Sequence, residues 1–132
     1  MIRRLGIGIL ALVAFAILLA ACGPTTREEI AKAYAEAVVH GDVNKAAEFW
    51  SPVVDGKKNA AGDIDYATTH VEAVSIKAMD VSMGTRILDH TEFVDLRVRL
   101  QTKDGQGIVC PIRFDFVQSN GSWKIEAATW LC

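Results

Sequence analysis

Three stretches in the second half of the chain alternate apolar and polar residues, and two turn signals join them. That pattern leaves few folds open. From Glu92 to Leu100, Val94, Leu96, Val98 and Leu100 fall on one face, with Phe93, Asp95, Arg97 and Arg99 on the other. This is the period of a half-buried strand. Ile108, Cys110, Ile112, Phe114 and Phe116 continue the inward set, and Trp123, Ile125, Ala127, Thr129 and Leu131 complete it. Asn120-Gly121 is the strongest hairpin dipeptide, and it sets Phe116 opposite Ile125 and Phe114 opposite Ala127. The turn reading outweighs Asn120-Gly121-Ser122 as a glycosylation acceptor. Lys103-Asp104-Gly105 suits a three-residue loop with Gly105 left-handed, which pairs Leu96 with Ile112 and Asp95 with Arg113. Core and charge agree in one register, so an antiparallel meander is expected. Val71 to Met83 supplies the first strand; its apolar parity changes between Ala78 and Met79, which predicts a bulge there or near Gly84.

The preceding segment is helical. Thr26-Arg27-Glu28-Glu29 forms a capping box, and Ile30, Ala33, Tyr34, Ala37 and Val38 recur at helical spacing up to a stop at Gly41. Asp42 caps a second, shorter helix with Val43, Ala46, Ala47 and Trp50, which Ser51-Pro52 ends. From Val53 to about Thr69 the pattern weakens, and loop with one helical turn is expected. The fold class is therefore α+β: two N-terminal helices packed on a curved antiparallel sheet.

The start of the chain has a different character. Arg3 and Arg4 precede Leu5 to Ala21, a run without a charge. Basic start, apolar middle and small residues are the layout of a secretory signal peptide. The run is slightly short for a comfortable transmembrane helix, which takes about 20 residues. Leu19-Ala20-Ala21-Cys22 resembles the bacterial lipobox. The resemblance implies cleavage before Cys22, a diacylglyceryl group on its sulfur and acylation, as with palmitate, of the new amino terminus. Several acyl chains, at about 0.8 kcal/mol per buried methylene, hold a protein durably on a membrane. An uncleaved anchor or a plain secreted protein are the alternatives. The division expected is a lipoprotein signal peptide (1–21), the lipidated Cys22 with a short tether (22–26), and one domain (27–132). The protein is then a lipid-anchored protein of the bacterial cell envelope, facing outside the cytoplasm. The mature chain has 12 basic against 16 acidic residues, a net charge of −4, so neither nucleic acid nor a polybasic membrane contact is expected.

The opening "REEIAKAYAEAVVHGDVNKAAEFWSP" and the closing "FDFVQSNGSWKIEAATW" are similar to the nuclear transport factor 2-like superfamily, in particular to its lipid-anchored, lumazine-binding-like branch. The resemblance covers nearly all of residues 26–131 and is carried by structural motifs. It implies a cone-shaped sheet around the first helix with a pocket at the open end. Some members use an aspartate base there, as isomerases or dehydratases, in an apolar cavity that tunes its pKa.

No catalytic constellation is evident from the residues. Asp80, in "AMDVSM", is the one weak candidate for such a base, and its ordinary reading is an outward-facing strand residue. His40 suits a helix C-terminus, His70 a strand start, and His90 an exposed turn. Asp63-x-Asp65 lacks the rest of a calcium loop and reads as solvated carboxylates. No metal or cofactor is expected, and Ser51, Ser75 and Ser82 lie in no nucleophile context. Tyr34, Trp50 and Tyr66, with Phe49 and Trp130, are candidate pocket residues for a small hydrophobic ligand. Trp130 has the wrong parity for the core and, with Val109 and Val117, offers a surface for an envelope protein partner or a homodimer. The function expected is a membrane-tethered binding or accessory module, with a small-molecule enzyme as the alternative.

Cys110 and Cys132 are the thiols left after Cys22, in a compartment that permits disulfides. Strict alternation from the Asn120-Gly121 turn sets Cys110 opposite Leu131, one residue from Cys132. A single bulge, expected at Pro111, would let the two bond. A free buried Cys110 is the alternative.

Overall fold

A computed structural model describes residues 23–89 and 91–132. The expected signal peptide, the lipidation site at Cys22 and His90 lie outside the described residues. The elements run α1 (Arg27–Val39), α2 (Val43–Glu48), α3 (Gly56–Asp65), a π-helical turn (Tyr66–His70), β1 (Ala73–Thr85), β2 (Glu92–Thr102), β3 (Gly107–Ser119) and β4 (Ser122–Trp130). The strands form one antiparallel sheet in the order β1-β2-β3-β4. The fold is α+β, helices first and sheet after.

Local chemistry accounts for the helix ends. Thr26 Oγ1 accepts from the Glu29 N–H at 3.2 Å, Asp42 from Lys45 at 3.1 Å and Asp55 from Lys58 at 3.1 Å, each satisfying a donor that the helix leaves unpaired. Gly41 takes φ 74° just past the end of α1, while the Asp42 N–H bonds the Ala37 carbonyl at 2.9 Å. Glycine adopts this left-handed position without the steric penalty of a Cβ. The helix α3 corrects the expected loop. Its sequence, "GKKNAAGDID", carries two glycines and few apolar residues. The Asp55 cap starts the helix, and burial of Ala60 against the core secures it.

The core lies between α1 and the face of the sheet that it covers. Val94, Leu96, Val98 and Leu100 of β2, with Cys110, Ile112 and Phe114 of β3, are fully buried beneath Tyr34, Ala35 and Val38 of α1. Leu96 pairs with Ile112 and Asp95 with Arg113, whose guanidinium grips the carboxylate at 2.7 and 2.8 Å. Both pairings follow from the three-residue loop and its Gly105, at φ 84°. On β1 the register shifts around Ser75 and between Ile76 and Ala78, slightly before the parity break in the sequence.

Strand β4 departs from strict alternation. Phe116 pairs with Ile125, but Asp115 pairs with Ala127, so Glu126 is an extra residue. Such a bulge moves everything beyond it by one position and onto the other face. Phe114 therefore faces Ala128 and not Ala127. Ala128 and Trp130 pack against the core, while Leu131 is 57% exposed. The proposed outer surface of Trp130 with Val109 and Val117 is thereby corrected: Trp130 belongs to the inner face. Continuing the shifted register past the Ile112–Trp130 pair sets Cys132 across from Cys110, and a disulfide joins them with Cα atoms 4.8 Å apart. The bulge responsible is at Glu126, fifteen residues along the chain from the expected position at Pro111, which stays in the ladder opposite Arg97.

Candidate binding cleft

The sheet has two distinct ends. At one, Thr85 pairs with Glu92, and Arg27 at the start of α1 bonds Glu92 and lies 4.6 Å from the centre of the Trp123 ring. At the other, Ala73 pairs with Thr102, next to the β2–β3 turn, the π-helical turn and Cys132. The eleven residues of β2, which run straight between these two pairs, separate the ends by roughly 33 Å at 3.3 Å per residue.

A cleft of about 340 Å³ opens at the second end. Tyr66 and His70 form one wall, the Thr102–Gln106 turn the other, with Glu72 and Cys132 at the edges. The π-helical geometry of Tyr66–His70 arises where α3 runs on past Asp65 without a stop residue. The Val71 N–H closes the turn on the Tyr66 carbonyl at 3.0 Å. Single π turns of this kind concentrate at functional sites. Glu72 then takes φ 58°, a left-handed conformation that side chains with a Cβ rarely adopt. It is held there while its carbonyl accepts the Lys103 N–H at 3.0 Å, linking the start of β1 to the β2–β3 turn. The Tyr66 hydroxyl donates to the Cys132 carbonyl, and the Tyr66 ring lies 5.8 Å from His70 and 6.4 Å from Trp130. Across the cleft, Asp104 accepts from the Thr102 hydroxyl and the Gln106 N–H, which hold its carboxyl below the usual carboxylate range. Two carboxylates, an imidazole and a phenol, beside the apolar Val71 and Ile108, give the cleft groups that can bind a cationic or hydrogen-donating ligand group.

Behind Tyr66 lies a second polar group. Tyr34, fully buried and edge-on to Trp50 and Phe114 at 5.9 and 5.8 Å, donates to Asp63 Oδ2 at 2.5 Å. Burial pushes the Asp63 carboxyl up, with Tyr34 and Trp130 acting the other way. Burial, with Asp63 beside it, drives the Tyr34 phenol far above its ordinary value. The indole N–H groups of Trp50 and Trp130 are buried and close no hydrogen bond.

These positions revise several expectations. Tyr34, Trp50 and Tyr66 do not share one pocket: Tyr34 and Trp50 pack together in the core, and Tyr66 lines the cleft. Phe49 is half-buried elsewhere, its carbonyl accepting the Ile125 N–H at 2.8 Å. Asp80 is exposed on β1 opposite Arg97. Asp63 is not a solvated carboxylate, while Asp65 is exposed. His70 lies in the π-helical turn and not at a strand start, and His40 is exposed with Nδ1 2.7 Å from the Glu36 carbonyl. Among the described residues no cluster of three or more metal-ligating side chains occurs, and no helix is long and apolar enough to cross a membrane. Sequence alone singles out Asp63 only as half of the Asp63-x-Asp65 calcium-loop fragment, in a weakly patterned segment where one helical turn rather than α3 is expected.

No family model and no curated protein matches the sequence. A solved structure is similar in fold: a Catenulispora acidiphila protein determined at 2.5 Å aligns over 89% of this chain and 93% of its own, with 14% identity and a TM-score of 0.51. That likeness shows a shared fold.

Proposed function

We propose that this chain is a membrane-tethered binding or accessory module of the nuclear transport factor 2-like superfamily, anchored through lipid on Cys22 outside the cytoplasm. Helices followed by a four-stranded antiparallel sheet support the superfamily reading. The observation that carries the functional reading is polarity. The tether (residues 23–26) leads into α1 at one end of the sheet, and the cleft opens at the other. A lipid anchor at Cys22 would thus present the cleft away from the bilayer. The Cys110–Cys132 disulfide at the cleft edge supports an oxidising compartment, because such bonds persist outside the reducing cytosol. Protease added to spheroplasts should degrade the domain while a cytosolic control survives. Full protection of the domain would overturn the location.

The second reading, a small-molecule enzyme of isomerase or dehydratase type, has one observation in its favour: a half-buried acid, Asp63, accepts a hydrogen bond from the buried Tyr34. It replaces Asp80 as the residue on which that reading would depend.

A further inference from the structure

The end of the sheet that receives the tether also carries the most exposed apolar side chains. Ile87 is 90% and Leu88 100% exposed, side by side in the β1–β2 connection. This connection is a built turn. The Arg86 N–H bonds the Thr91 carbonyl at 2.8 Å, and the Arg86 guanidinium meets Asp115 at 2.9 Å. Asp89 Oδ1 accepts from the Thr91 hydroxyl at 2.7 Å. Arg86 is thus paired with Asp115 and Asp89 is turned back onto Thr91, while the two aliphatic side chains are left exposed.

Below the turn, the Arg27–Glu92 ion pair fastens the base of the hairpin to the first residue of α1. Only Gly23–Thr26 separate that residue from Cys22 and the uncharged run Leu5–Ala21. Four extended residues span at most roughly 14 Å. The hairpin tip and the place where the chain meets the membrane are therefore held within a short reach of each other.

We infer that Ile87 and Leu88 insert into the interfacial layer of the bilayer that holds the N-terminus, making the β1–β2 turn a second membrane contact. The inference rests on the membrane tether proposed above. It does not depend on whether that tether is lipid or an uncleaved apolar helix, since both meet the bilayer just before Gly23. Isoleucine and leucine are among the side chains most favoured in hydrocarbon, and two residues are too small a patch for a stable protein interface. A single flexible tether leaves the domain free to tumble. A second contact fixes its orientation and keeps the cleft directed away from the lipid.

The test uses the full chain reconstituted into phosphatidylglycerol–phosphatidylcholine vesicles whose acyl chains carry bromine, a short-range quencher of tryptophan. Flotation of the vesicles reports the tether, and quenching of an added tryptophan reports the turn. Leu88→Trp is compared with Val74→Trp, a half-exposed position near the opposite end of β1. Because apolar insertion reaches about 5–10 Å into the interface, the added emission, taken as the difference from the wild-type chain with its Trp50, Trp123 and Trp130, should be quenched roughly twofold or more at position 88 and unquenched at 74. Ile87→Asp in the Leu88→Trp background should abolish the difference. Equal quenching at 88 and 74 in floating vesicles would overturn the second contact and leave the tether standing. Failure to float would overturn both.

Discussion

Cleaving the Cys110–Cys132 bond should destabilise the domain substantially and loosen the cleft first. The cysteines are 22 residues apart, and in the chain-entropy model a loop of that length contributes about 3 kcal/mol by restricting the unfolded state. For a domain of this size that corresponds to a melting temperature roughly 12 °C lower. Cys132→Ala is the cleanest perturbation, because Cys132 is exposed, whereas Cys110 is buried and can remain as a small apolar thiol. Without the bond, the last turn of β4 is held by the Leu131 N–H on the Pro111 carbonyl at 2.8 Å and by the Tyr66 hydroxyl on Cys132. Calorimetry of the wild type, with and without reductant, and of Cys132→Ala gives the size of the effect. Hydrogen exchange well below the transition gives its location. Protection should fall at residues 128–132 and the Tyr66–His70 turn while β2 is unchanged. A melting temperature within about 3 °C of the oxidised protein, where the loop model requires far more, would refute the reasoning.

Two further substitutions probe the cleft and its hinterland. Asp63 has its carboxyl raised by burial, so its protonated form is favoured by folding. Its contribution to stability is full below the unfolded carboxylate value near pH 4 and is lost as pH rises through the raised folded value. Asp63→Asn, whose amide oxygen can still accept from Tyr34, should therefore gain stability over wild type at neutral pH and none at about pH 3. Thermal melts across that range would contradict this by showing the opposite trend. Glu72→Gly should keep the fold and leave stability unchanged or raise it by up to about 1 kcal/mol, because φ 58° suits glycine. Urea titration showing a loss above about 1 kcal/mol would mean that the Glu72 side chain holds the cleft wall.

The middle of the sheet was legible because several signals in β2 and β3 agree. Four fully buried aliphatic residues alternate on β2, Gly105 takes the left-handed turn position, and Asp95 meets Arg113 only in the register that joins Leu96 to Ile112. Strand β4 misled for an equally physical reason. In "KIEAATW" the residues at 127 to 129 are Ala, Ala and Thr, small enough to stand on either face, so nothing in the pattern marks Glu126 as extra. That one residue decides the side of Trp130 and the partner of Cys110. Helix α3 was missed because tertiary burial of Ala60 and a single aspartate cap outweigh weak propensity. With it went the inward turn of Asp63 and the π-helical wall of the cleft, neither of which has a periodic signature.

The tether is tested most directly by intact mass spectrometry of the protein purified from native membranes. An amino-terminal Cys22 bearing a diacylglyceryl group, with residues 1–21 gone, is the expected result. A chain still beginning at Met1, with Cys22 unmodified, would contradict it.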